Sequence, residues 1–191
     1  MLNYKIDFHC FHGTTKESLD KIINNKKFEY EYRDNHWIGN GIYFFINDEG
    51  KGRWWAGNTV KKKAKEGIVA EPSVLYMLIK IERQRLLDLN TEEGQEKLLK
   101  FIRYLKSEKR GIIIKKRTNE DEENLKRRIL CKHLDLMVKV DKYQATLYQF
   151  ANENKSYLFN EMRIYGIMNN CGNQLCVYDE TLLDFANYAV V

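Results

Sequence analysis

The sequence predicts an α+β domain, on three observations. Strand-like and helix-like segments follow one another irregularly, without the repeating βα unit that a doubly wound parallel sheet needs. "SVLYMLIKI", residues 73–81, is apolar on both faces and reads as an interior strand. Hydrophobic residues are 43% and charged residues 31% of a 191-residue chain, which suffices for one buried core, so 1–191 reads as a single domain.

In chain order, "KIDFHCFHG" reads as a first strand that ends at Gly13. "TTKESLDKIINNK" then offers a capping box, Thr14 with Glu17, and places Leu19, Ile22 and Ile23 on one helical face. "GIYFFI" is a short apolar strand after the glycine turn "GNG". Residues 54–66 read as a helix, with Pro72 in a loop before the interior strand. Two basic helices are expected over 91–109 and 120–137, with "GIIIKK" between them, and together they form a basic helical insertion at about 91–160. "KSYLFNEMRIYGIM" reads as a helix and "QLCVYD" as a last strand.

Several classes of function are excluded. No apolar run reaches the length of a membrane span, so no membrane partner is expected. The N-terminus lacks the basic start and apolar core of a secretory signal. Four cysteines, Cys10, Cys131, Cys171 and Cys176, form no CxxC pair and read as free thiols of a cytoplasmic protein. His9 and His12 of "HCFH" point to opposite faces of a strand, so no metal is expected. His36 and His133 read as structural or exposed. "GNG" is no dinucleotide fingerprint either, because Phe44 stands where GxGxxG requires its third glycine.

The net charge is only +5, but residues 97–132 hold 13 Lys or Arg against 5 Asp or Glu, and "KKKAK" at 61–65 adds a second cluster. Such clusters suit a polyanionic partner, with Tyr104, Tyr143 and Tyr148 available for base stacking; the plainer reading is a solvated helix face. "FHGTT" carries the chemistry-bearing signal. A strand end, a glycine and a helix start form a place where polar ligands bind through main-chain groups.

Taken together, "FHGTT…SLDKIINNKKF…WIGNGIYFF…RWWA" resembles the NAD-binding core of the diphtheria-toxin-like and poly(ADP-ribose) polymerase-like ADP-ribosyltransferases. That pattern is H-G-[ST] on a strand, a helix, then a glycine turn into G-[IL]-Y-F. "NQLCVYD" is similar to the family's N-E-x-x-V-Y-D strand, whose acid completes a His, Tyr, Glu triad. The resemblance covers roughly 8–82 and 171–182 and leaves the basic section unaccounted for. It implies a split mixed β-sheet with NAD as co-substrate in the cleft between its halves. It implies that His12 bonds the adenosine-side ribose with support from Thr14, and that Gly13 holds the nicotinamide carboxamide through its backbone. Tyr43 and Trp54 would sandwich the nicotinamide, with Trp55 in the core. Arg33, Lys51 and Arg53 are phosphate candidates by position. A serine that family members often carry near Lys51 is absent.

The departure is Gln174, which stands where the family has the glutamate. A glutamine keeps a hydrogen bond to the nicotinamide ribose but lacks the charge that favours an oxocarbenium-like state, and removing such a group typically costs about 2.7–4 kcal/mol. Three readings follow, in order of preference. The chain is an active mono-ADP-ribosyltransferase using His12, Tyr43 and Gln174, with a base supplied by the acceptor or by Glu161, Asp179 or Glu180. It is an inactivated Glu-to-Gln form, or it reads NAD or ADP-ribose without turnover while the basic helices bind nucleic acid. RNA 2′-phosphotransferases share the H-G-T strand but need neither G-x-G-I-Y-F nor a terminal V-Y-D strand, and rank lowest. Small stand-alone members with H-G-T and G-x-G-I-Y-F-F look like bacterial or phage toxins and defence effectors, so the resemblance implies a target in RNA or protein and a neutralising antitoxin as a further partner.

Overall fold

The computed structural model describes residues 4–108, 111–151 and 170–191, so the helix expected over 155–168 and Glu161 lie outside the described residues. The chain runs β1 (Lys5–Thr15), α1 (Lys16–Asn25), β2 (Ile42–Ile46), α2 (Glu49–Lys65), β3 (Pro72–Glu82), β4 (Leu86–Asp88), α3 (Glu92–Ser107), α4 (Glu122–Asp141), β5 (Ala145–Ala151), β6 (Asn170–Val177) and β7 (Tyr188–Val190). The strands form one seven-stranded mixed sheet in the order β4-β5-β6-β2-β1-β3-β7. Among the described residues only β4 and β5 pair in parallel. The irregular patterning of the sequence is thus realised as an α+β arrangement.

Strand alternation sorts the core into two clusters, one on each side of the sheet. On one side Phe8, Cys10, Phe44 and Leu175 meet Leu19 and Ile22 of α1. On the other, Phe150 and Cys176 meet Leu98 of α3 and Leu134 and Met137 of α4. The helix α2 shares that second side, lying over β1 and β3.

Several boundaries differ from the sequence reading. The helix α1 is capped by Thr15, whose hydroxyl accepts from the Ser18 amide at 3.3 Å, so Thr14 stays on the strand and is free for other contacts. The helix α2 starts at Glu49 because Asp48 caps it, accepting from the Lys51 amide at 2.8 Å; Gly50 and Gly52 hid that start through their low helix propensity. The section 91–160 is not wholly helical, since it supplies β5, a strand with neighbours on both edges. "GIIIKK" takes no regular structure.

Gly13 sets how closely α2 can approach. A Cβ there would collide with the Gly52 carbonyl and lie 2.8 Å from the Ala56 amide nitrogen. Gly52 and Ala56, four apart on one face, let the helix backbone rest almost on the strand. Large side chains between them are pushed sideways. Trp55 is accordingly 47% exposed, not in the core as expected, and Trp54 is 55% exposed.

This contact predicts opposite signs for two glycines of similar appearance. Gly13→Ala should destabilise by about 1–3 kcal/mol, since the atoms it meets are backbone and cannot turn away. Gly57→Ala, with nothing within 4 Å of its added Cβ, should stabilise by about 0.5–1 kcal/mol through helix propensity. Thermal melts followed by circular dichroism check both; equal shifts would refute the close approach of α2.

Candidate active site

Two strands that part company create the cleft. β1 and β2 pair only at Cys10↔Ile46 and Phe11↔Phe45. Beyond that point β1 continues beside β3 to Thr15↔Pro72, while the start of β2 pairs with β6 through Ile42↔Val177. The fork is bridged by His12, whose Nδ1–H donates to the Tyr43 carbonyl at 2.8 Å. The His9 carbonyl accepts from the Asn47 amide at 2.9 Å, so odd-numbered residues of β1 turn their main-chain groups toward β2. Gly13 therefore directs its N–H and C=O into the fork.

His12 packs edge-on against Phe28 and Phe44, with ring centroids 5.1 and 5.7 Å away. That burial lowers its pKa below 6.5, partly opposed by the bond to Tyr43. The imidazole is neutral at pH 7, and its donated Nδ1–H leaves Nε2 as an acceptor.

Tyr43 begins the opposite wall. Its hydroxyl donates to the Gly39 carbonyl at 2.7 Å and accepts from the Ile38 amide at 3.0 Å. Burial raises its pKa far above 10, so it is a neutral anchor and no base. The glycine turn is held from behind as well. The Tyr178 hydroxyl donates to the Ile38 carbonyl at 2.6 Å, and Asp135 of α4 accepts from the Asn40 amide and side chain, both at 2.8 Å. Gly39 adopts φ +92°, a conformation that favours glycine, while a Cβ at Gly41 would collide with the Val177 carbonyl. The two glycines thus seat the turn against β6, with Gly41 still at the cleft.

The resulting cleft has a volume of about 700 Å³, within the range of small-molecule sites. The six residues that the resemblance marks line it, His12, Gly13, Thr14, Tyr43, Trp54 and Gln174, and so does Arg33 of the three phosphate candidates. Gln174 stands beside Phe45 on β2 and Tyr148 on β5. Arg33 is tied to Glu31 at 2.9 Å. Of the other phosphate candidates, Lys51 lies over the Trp54 ring at 5.7 Å and Arg53 pairs with Glu49 at 2.6 Å; neither lines the cleft. Asp179 and Glu180 do not line it either. Asp179 is a turn carboxylate held below its usual pKa, chiefly by the Thr181 hydroxyl.

Sequence reasoning missed several lining residues. His36 stacks on the Tyr43 ring at 5.6 Å and 20°. Trp37 and Arg127 meet near the β5 side, and Lys27 and Tyr30 come from the segment after α1. Among the described lining residues Glu29 is the only acid. "RDNHWIGNG" held a signal, a histidine and a tryptophan just before the glycine turn. By contrast, nothing in the sequence tied Arg127, ninety residues further on, to that turn.

No family model matches this chain, and no solved structure matches it. A 97-residue stretch is 30% identical to an uncharacterized protein of Methanocaldococcus jannaschii, covering 47% of this chain and 45% of that protein. The chain thus spans about half the length of the curated relative it matches.

The His12 environment predicts an acid limb in stability. The unfolded state binds a proton near pH 6.5 while the folded state resists it, so stability falls as pH drops below 6.5 toward the lowered folded value. Well above 6.5 both states are neutral and His12 adds no pH dependence. His12→Gln, which keeps a donor for the Tyr43 carbonyl but cannot titrate, should flatten that limb in denaturant melts between pH 7 and 5. An unchanged slope would show that His12 titrates normally.

Proposed function

We propose that this chain is a NAD-dependent mono-ADP-ribosyltransferase, with NAD bound across the fork of an ADP-ribosyltransferase-like split sheet. One observation supports this above others: the six residues marked by the resemblance come from four separate stretches of chain and line one cleft. The chemistry of the lining fits the co-substrate. Aromatic rings at Tyr43 and Trp54 suit a cationic pyridinium, and Lys21, Lys27 and Arg33 suit a pyrophosphate.

In this reading the acceptor's nucleophile attacks C1′ of the nicotinamide ribose, the glycosidic C–N bond breaks, its electron pair leaves with neutral nicotinamide, and the acceptor proton passes to solvent. His12, neutral with Nε2 as acceptor, takes a hydrogen bond from a ribose hydroxyl. Gly13 offers its N–H and C=O to the carboxamide, a pairing of one donor and one acceptor. Tyr43 presents the ring face that His36 leaves free. Its hydroxyl is already committed to the glycine turn, so its part in binding is the ring. Gln174 donates or accepts at the nicotinamide ribose but contributes no charge.

The test is nicotinamide release from NAD by the unaltered chain, beside NAD affinity measured by calorimetry. His12→Ala should weaken binding and release at least tenfold. Tyr43→Phe should retain binding and lose about 1 kcal/mol of stability, the worth of the clamped hydroxyl. Gln174→Glu should raise release about 10²–10³-fold by restoring the charge. If NAD binds and neither chain releases nicotinamide, the site is a reader; if NAD does not bind at all, the proposal fails.

A further inference from the structure

We propose that the β5 side of the cleft is a stacking subsite for an unpaired nucleobase, which makes single-stranded nucleic acid the acceptor; this rests on the transferase reading above. The pair that carries it is Trp37 and Arg127. The Arg127 guanidinium lies 4.3 Å from the centre of the Trp37 ring, and Trp37 remains 46% exposed at the cleft. Two further rings support them. Phe150 meets Trp37 in an edge-on contact at 4.8 Å, and Tyr148 meets Phe150 in another at 4.8 Å. Phe150 belongs to the core cluster and Tyr148 packs against it, so the platform is anchored in the sheet.

Two adjacent arginines on α4 show the distinction. Arg128 is buried and neutralised by Asp34 at 3.0 Å and Glu120 at 2.8 Å. Arg127 makes no ion pair among the described residues and sits over the indole of Trp37. A guanidinium over an exposed aromatic ring, with no acid paired to it, is the combination that can take a flat base by stacking and a phosphate by charge.

Strand order assigns the subsite to the acceptor. Across the sheet the sequence is β1 with His12, β2 with Tyr43, β6 with Gln174, then β5 with Phe150. The adenosine end of NAD is assigned to His12, and the bond that breaks lies by Gln174. Trp37 and Arg127 lie beyond Gln174, about one further strand spacing of roughly 4.8 Å away from the adenosine. A base there places its own ring or sugar atoms toward the reacting carbon. The tyrosine platform expected from the sequence is not what presents itself: Tyr143 and Tyr148 pack against the core cluster, and Tyr104 does not line the cleft.

The experiment measures binding of a short labelled unpaired RNA, its DNA counterpart and the matching duplex by fluorescence anisotropy, with NAD affinity measured on the same proteins. The variants are Trp37→Ala, Trp37→Phe, Arg127→Ala and Arg127→Lys, with Lys62→Ala on α2, away from the cleft, as a charge control. Support consists of tighter binding of an unpaired strand than of duplex, and of roughly 5- to 150-fold weakening by Trp37→Ala and by Arg127→Ala. Trp37→Phe should keep most of the affinity and Arg127→Lys should not, because lysine keeps the charge and lacks the plane. NAD affinity should stay within twofold. The proposal is overturned if neither strand binds, if both alanine variants bind as the parent does, or if Lys62→Ala weakens binding as much. It is also overturned if NAD affinity falls in step, which would give the platform to the adenine of NAD. Selective loss of strand binding in a chain that fails to bind NAD would support the subsite while ending the transferase reading.

Discussion

The cleft depends on β1 and β2 being paired at only two positions, with one further main-chain bond from Asn47 to His9. Each strand has a longer partnership on its other edge, β1 with β3 over eleven pairs and β2 with β6 over four. A sheet that divides in this way exposes main-chain groups that would otherwise be paired, and those groups need partners. His12 supplies one partner from its side chain. Gly13 keeps its groups directed into the opening, and the close seat of α2 on Gly13 walls off one side with Trp54 and Trp55.

The other wall is fixed by hydrogen bonds. Ile38, Gly39 and Asn40 give their main-chain groups to Tyr43, Tyr178 and Asp135, so the glycine turn is pinned at successive residues from the sheet and from α4. Each such bond contributes about 0.5–1.5 kcal/mol, and an unmet buried group costs more. Burial raises the pKa of both phenols, so the pins do not change over the physiological range. The nearby Cys131 thiol is pushed up to about 12, and Cys176 is raised as well, which makes both packing groups and not nucleophiles. A wall held this way presents its aromatic faces without an ordering step on binding.

Much of this was legible in local sequence. The apolar runs at "GIYFFI" and "SVLYMLIKI" gave β2 and β3, and the site residues His12, Gly13, Thr14 and Tyr43 followed from short motifs at strand ends. What failed depended on distance. Trp55 looked like core because a helical tryptophan usually is; only the Gly13, Gly52 and Ala56 contact, made across the fold, displaces it. β5 was hidden because its partners, β4 and β6, are brought to it by tertiary pairing. The role of α4 was hidden for the same reason. Asp135 holds Asn40, and Arg127 meets Trp37, across about ninety residues of sequence that no periodicity connects.

Charge links the two proposals. The described lining carries Lys21, Lys27, Arg33 and Arg127 against Glu29, and position 174 holds an amide. A carboxylate there would favour the cation that develops as the glycosidic bond breaks. It would also repel a polyanionic strand lying on Trp37 and Arg127, one strand spacing away. At about 5 Å two unit charges interact by roughly 3 kcal/mol in a medium of effective dielectric 20, the same order as the catalytic loss from a glutamine. Under the two proposals the neutral side chain would give up rate and remove a repulsion of comparable size. An acceptor that is itself anionic would bring part of the missing negative charge with it. On this account Gln174 and the Trp37–Arg127 platform are one adaptation: the first is tolerable because of what the second binds.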